Sequence, residues 1–164
     1  MTATPETRVG SAMGAGRPHV YILNGPNLNM LGQREPEIYG AVTLADVEKR
    51  CLEVAGELEI GVTFLQSNWE GQIVDWLQEA RGAGAGVLIN PAGLSFSSIP
   101  LIDALKIVEK PIVEVHISNI HQRDELHRHS IVSTVAIGVI AGLGTYGYEL
   151  GLRALERELT DRHA

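Results

Sequence analysis

The sequence predicts a doubly wound α/β domain built on a parallel sheet. Five short apolar runs recur along the chain, and each is rich in Val, Ile and Leu. Runs of that kind read as strands buried on both faces, which is the habit of parallel sheets. Segments of helical periodicity alternate with them, as βα repeats require. A length of 164 residues with 45% hydrophobic and 20% charged side chains supports one core and leaves little room for a second. Five βα units of this size favour the flavodoxin-like strand order 2-1-3-4-5.

The elements follow in order. Residues 1–17, rich in Gly, Ala and Thr, read as a flexible N-terminal tail, with a single catalytic domain over 18–164. The first strand is His19–Asn24, followed by a long polar loop from Gly25 to Gly40 of the kind that often serves as a lid. A helix is expected over 43–60, capped by Thr43 with Asp46 in its first turn and ended by Gly61. Leu44, Val47, Cys51, Val54 and Leu58 form its apolar stripe. Strand 62–66 and helix 70–81 come next, then the breaker Gly82–Gly86 and strand 87–90. A helix over 98–109 leads through Pro111 to strand 112–118. A second polar loop, 119–130, precedes strand 135–140 and a last helix over 144–160. In such sheets ligands bind outside the carboxyl ends of the strands. The loops after Asn24, Gln66, Asn90 and Ser118 therefore share one rim.

Composition narrows the function. One cysteine excludes an internal disulfide, and Cys51 reads as a small buried apolar residue. A net charge of −7 without a Lys/Arg cluster argues against nucleic acid. No apolar run approaches the roughly 20 residues that span a bilayer, and the first residues lack the apolar core of a secretory signal. A soluble, cytoplasmic domain is the expectation.

Several rim features can carry chemistry. Gly142-Leu-Gly144-Thr-Tyr-Gly147 fits G-x-G-x-x-G, but a dinucleotide site also needs a following strand and an acidic residue. Only one helix remains after it, so close packing of that helix on the sheet is the better reading. Glu114, His116 and Ser118 alternate onto one face, where a carboxylate can fix the tautomer of an imidazole that gives up a proton. A histidine merely satisfied at a strand end is the competing reading. Arg34 and Tyr39 share the first loop. A guanidinium beside a phenol stabilises the phenolate and makes it a base near neutral pH; a tyrosine pinning the loop is the alternative. Asn24 and Asn90 end strands, where an amide can bind an oxyanion or cap a turn. The loop 121–129 mixes His121, His127 and His129 with Arg123 and Arg128, a weak pattern for zinc and a better one for anions or an interface.

Taken together, these rim segments resemble the type II 3-dehydroquinate dehydratase family. The matching stretches are Asn24-Gly-Pro-Asn-Leu-Asn-Met-Leu-Gly-Gln-Arg-Glu-Pro-Glu-Ile-Tyr-Gly40, Gln66-Ser-Asn, Ile89-Asn-Pro91, Val115-His-Ile-Ser-Asn-Ile-His121 with Arg123, His129-Ser130 and Gly147-Tyr148. They run in order from about Pro18 to Ala154. The resemblance implies a flavodoxin-like fold, a homododecamer built as a tetramer of trimers, and no metal or cofactor. It implies an anti elimination of water from 3-dehydroquinate through an enolate. Tyr39 then matches the base, Arg34 the arginine that stabilises charge, and His116 the general acid. Asn90, Ile117 and Ser118 match substrate contacts, and Asp103 an acidic residue that reaches a neighbouring subunit's site.

Four positions depart from that pattern. Phe96 stands where the family has a histidine, and His127 where it has an arginine; the resemblance puts both at the distal hydroxyls of the substrate. Trp69 replaces a smaller or polar residue, and Ile102 an arginine. Two further readings therefore stand beside the ordinary dehydratase. One is the same mechanism on a cyclic keto-acid altered at those hydroxyls. The other is a non-catalytic oligomeric relative, against which the intact Arg34, Tyr39 and His116 argue.

Overall fold

The computed structural model describes residues 16–33 and 41–161. The expected tail lies outside them apart from Gly16 and Arg17, and so do Arg34 and Tyr39 of the first loop. Strands β1 His19–Asn24, β2 Gly61–Gln66, β3 Gly86–Asn90, β4 Ile112–His116 and β5 Gly138–Ala141 form one sheet in the order β2-β1-β3-β4-β5. Every pairing is parallel. Helices α1 Leu44–Glu57 and α4 Tyr146–Asp161 cover one face, and α2 Glu70–Gly82 and α3 Ile99–Lys106 the other.

Strand alternation sorts the core into two layers. Val20, Ile22, Leu88, Val113 and Val115 pack with Val47, Cys51, Val54, Leu152 and Leu155 beneath α1 and α4. Leu23, Val87, Ile89 and Ile112 pack with Ile73, Trp76, Leu77, Leu101 and Leu105 beneath α2 and α3. β3 and β4 are buried throughout, β3 as an apolar run up to Asn90 and β4 with Glu114 and His116 among its apolar residues. Cys51 belongs to the first layer, where burial pushes its thiol up to about 12.

Local signals set most boundaries. Thr43 caps α1 in a reciprocal box: its hydroxyl accepts from the Asp46 N–H at 3.2 Å, and Asp46 Oδ2 accepts from the Thr43 N–H at 2.9 Å. Ser98 caps α3 by accepting from Leu101 N–H at 3.1 Å. Gly147 and Gly151 let α4 lie close on the sheet. A Cβ on Gly151 would sit 2.5 Å from Leu88 Cδ1, and one on Gly147 2.9 Å from Val115 Cγ2. Gly147 of the glycine motif is therefore a packing position, as its sequence context suggested.

Several boundaries differ from expectation: α3 ends at Lys106 rather than 109, α4 begins at Tyr146 rather than 144, and three other shifts have a clear cause. Helix α1 stops at Glu57 rather than near Ile60, because Glu59 turns left-handed (φ 55°) to bury Ile60. Strand β4 ends at His116 rather than Ser118. The Gly142 and Gly144 N–H groups bind the His116 and Ile117 carbonyls at 3.2 and 3.0 Å, turning the chain away from the ladder. Strand β5 begins at Gly138 rather than Val135, since Val132–Thr134 forms a 3-10 turn whose Val132 is fully buried. Its apolar residues serve the second layer rather than a ladder.

Candidate active site

A cleft of about 250 Å³ opens over the carboxyl ends of β1, β3 and β4. It spans the point between β1 and β3 where the winding direction reverses, the expected ligand position in this topology. Leu28, Met30 and Leu31 supply one wall from the loop after β1. Asn90 and Phe96 come from the end of β3 and the turn after it. His116, Ile117, Ser118, Arg123 and His127 come from the end of β4 and its loop.

The floor is tied to helix α4. Tyr148 is fully buried, and its hydroxyl donates to Asn24 Oδ1 at 2.7 Å while accepting from Asn90 Nδ2 at 2.9 Å. Asn24 Nδ2 donates to the Leu65 carbonyl at 3.0 Å, and Asn24 lies outside the cleft lining. Asn90 Oδ1 accepts from Ala92 N–H at 3.3 Å, the turn-capping role. An amide nitrogen has two hydrogens, so Asn90 keeps one for a ligand. Burial pushes the Tyr148 phenol up, which keeps it a donor.

Glu114 and His116 point to the opposite face, the side of α2 and α3. Glu114 is fully buried and His116 is 4% exposed. His116 Nε2 lies 2.6 Å from Glu114 Oε1. Ser130 donates to the same oxygen, and Ser133 donates to Oε2 at 2.5 Å. Burial by itself would raise the Glu114 carboxyl, but the hydrogen bonds from His116, Ser130 and Ser133 outweigh it and hold the group below the usual carboxylate range. An ionised carboxylate only accepts, so Nε2 must carry a hydrogen. That leaves Nδ1 as the nitrogen that meets a ligand. The pair is thus a buried carboxylate–imidazole unit opening on the cleft.

Phe96 and His127 meet edge to face, ring centroids 5.5 Å apart, so both departures form one corner of the cleft. Asp124 holds His127 Nδ1 at 2.8 Å. His129 contacts Glu125 at 3.2 Å. Among the described residues no cluster of three or more His, Cys, Asp or Glu could hold a metal ion. Asp103 lies on the exposed side of α3, 3.9 Å from Lys106, outside its own chain's cleft. Trp69 is 75% exposed, and Ile102 is buried in the second core layer; neither lines the cleft.

The sequence reading gave no role to Tyr148, Ser130 or Ser133. One signal was present: a glutamate inside the apolar run of β4 must find buried partners. Which side chains answer it is settled only by the fold.

A family model for Dehydroquinase class II matches residues 18–156. The chain belongs to this family. The 3-dehydroquinate dehydratase of Cereibacter sphaeroides is 55% identical over 136 residues, covering 83% of this chain and 92% of that protein. The 3-dehydroquinate dehydratase of Brucella canis is likewise 55% identical over 136 residues, 83% of this chain and 87% of its own. The crystal structure of a type II dehydroquinase from Propionibacterium acnes superposes with a TM-score of 0.83 at 44% identity, over 85% of this chain and 96% of that one. The class II dehydroquinase fold and the sheet order described above agree.

Proposed function

We propose that this class II dehydroquinase is a 3-dehydroquinate dehydratase, a hydro-lyase that converts 3-dehydroquinate to 3-dehydroshikimate by anti elimination. The observation that carries the reading is the buried Glu114–His116 pair facing a polar-floored cleft at the sheet's switch point. Tyr39, made basic by Arg34, takes the proton from the carbon beside the ketone. The freed electron pair delocalises into an enolate. When the enolate collapses, the ring double bond forms and the tertiary C–O bond breaks. His116 gives its Nδ1 proton to the departing oxygen, and water leaves. Glu114 balances the imidazolium charge before that transfer. Asn90, Ile117 and Ser118 bind the substrate at the β3–β4 end of the cleft. The reaction asks for a base, an acid and dipoles around an enolate, so protein groups suffice without metal or cofactor.

Asp103 serves a neighbouring copy in a homododecamer, a tetramer of trimers. Its position outside its own cleft supports this, as does the apolar edge formed by Ile137, Val139 and Leu143, which are 51%, 41% and 55% exposed. The cytoplasm is the proposed compartment, in keeping with an acidic chain whose one thiol is unpaired. No helix among the described residues is long and apolar enough to cross a membrane.

The Phe96–His127 corner favours a second reading, in which the same mechanism acts on a keto-acid altered at the distal hydroxyls. A phenyl ring offers no hydrogen bond, and a buried hydroxyl left unpaired costs about 1–3 kcal/mol. Both readings are tested by adding 3-dehydroquinate to the purified protein and following the ultraviolet band of the conjugated enone. Efficient turnover that Phe96→His with His127→Arg does not improve rejects the altered substrate. No turnover by the wild type rejects the first reading.

A further inference from the structure

The 119–134 segment contributes more than cleft lining. It delivers two hydroxyls to Glu114: Ser130 to the oxygen that His116 also holds, and Ser133 to the other. The segment that carries them is fixed. Val132, between them, is fully buried. Ile131 N–H donates to the Ser95 carbonyl at 2.8 Å, and Thr134 Oγ1 closes the turn on the Ile131 carbonyl at 2.7 Å. Two donors held by a packed turn, aimed at one buried carboxylate behind the acid, exceed what the fold needs to satisfy a glutamate. A glutamine or an apolar residue would fill the same space with fewer demands.

We propose that Ser130 and Ser133 are positioning residues of the elimination: they hold Glu114 as an aimed carboxylate, and so hold His116 in the tautomer and orientation that presents Nδ1 to the leaving hydroxyl. The inference rests on the dehydratase reading and adds residues to it. Among the described residues the only titratable side chain that acts on Glu114 is His116, its neighbour on β4; the 130–134 turn offers hydroxyls and apolar groups alone. Removing a donor therefore leaves the carboxylate with a higher proton affinity. Each hydrogen bond to a charged group changes that affinity by roughly tenfold or more. The unit then loses its charge at higher pH, and His116 loses its hold.

The variants are Ser130→Ala, Ser133→Ala and the hydroxyl-keeping Ser133→Thr, each with intact fold checked by circular dichroism. Steady-state rates on 3-dehydroquinate are measured across pH, and His116 ring nitrogens are followed by 15N NMR in the free protein. Each alanine variant is expected to lower kcat by about tenfold with KM within about twofold. The acidic limb of the rate profile moves up by about one pH unit, and the ring-nitrogen shifts show a mixture of tautomers. Ser133→Thr restores wild-type behaviour. Unchanged kcat and an unmoved acidic limb in both alanine variants, with only a lower melting temperature, would overturn the proposal and leave the serines structural. A rise in KM alone overturns it too. Should one alanine variant not fold, the other decides. Should the wild type not turn over 3-dehydroquinate, the dehydratase reading fails, while the NMR tautomer still tests the serines.

Discussion

Replacing Glu114 by glutamine probes the acid unit with almost no change of volume. Three donors converge on this carboxylate: His116 Nε2, Ser130 and Ser133. An amide offers one accepting oxygen and one donating nitrogen. It cannot accept from both sides, so either the histidine or a serine faces an N–H. If the amide nitrogen turns to His116, the ring must take the other tautomer, with Nδ1 protonated and Nε2 accepting. The imidazolium that should precede proton delivery also loses its counter-charge. General acids contribute about 10²–10⁴ in rate, and kcat should fall within that span. KM should stay within about threefold, because no substrate contact is removed. The serine hydroxyls can rotate to accept, so the stability cost is about 1–3 kcal/mol rather than that of three lost bonds. Its pH dependence has a definite sign. The folded Glu114 carboxyl lies below its ordinary value, so it stabilises the native state above about pH 4.3 and ceases to do so as pH falls through the lower folded value. The gap in melting temperature between wild type and Glu114→Gln should therefore be full near neutral pH and close in acid. Continuous enone absorbance gives the rates, and calorimetry gives the melts. A kcat within threefold of wild type, with an unchanged pH profile, would refute the reasoning.

Three further outcomes are expected. Tyr39→Phe should nearly abolish turnover while size-exclusion chromatography shows the wild-type assembly; near-normal rates would displace Tyr39 as the base. Tyr148→Phe should lose about 1–3 kcal/mol of stability in urea, because Asn24 Oδ1 and Asn90 Nδ2 both lose their shared partner in a buried site. Cys51, with its thiol pushed up to about 12, should not react with a disulfide reagent at pH 8 in the folded protein and should react promptly in denaturant. Rapid labelling of the native protein would mean that the first core layer opens there.

Much of the fold was legible because its signals are local. Thr43 with Asp46 and Ser98 before α3 are capping chemistry readable within four residues. Apolar runs such as 87–90 read as doubly buried strands wherever they fall. The misplaced start of β5 shows the limit. Val132 and Val135 are as strand-like as any residue in the sheet, yet Val132 is buried in a 3-10 turn that packs beneath α3. The site divides in the same way. The Glu114–His116 spacing announced a same-face pair because period-2 alternation is a property of one strand. That Asn24 stays outside the cleft while Asn90 lines it, though Tyr148 bonds both amides, depends on residues 41 to 124 positions away. Ser133 likewise had no local reason to be singled out, and Ser130 stood out only within the His129-Ser130 match, with no role. Asp103 lies beyond the reach of its own cleft, so nothing within a single chain assigns it a ligand.

The two halves of the cleft are rooted in different layers of the protein. Asn90 is braced through Tyr148 from the α1–α4 side, whereas His116 is braced through Glu114 from the α2–α3 side. The sheet separates them like a bulkhead. Loosening one layer, by heat or by a cavity in its packing, blunts one half of the site while the other keeps its geometry. On the proposed mechanism, substrate grip and proton delivery can therefore drift apart under selection, and an engineer can harden one layer for heat resistance without stiffening the other's chemistry. A pocket corner such as Phe96 and His127, which belongs to neither core layer, is free to be recut while the Asn24–Tyr148–Asn90 floor stays as it is.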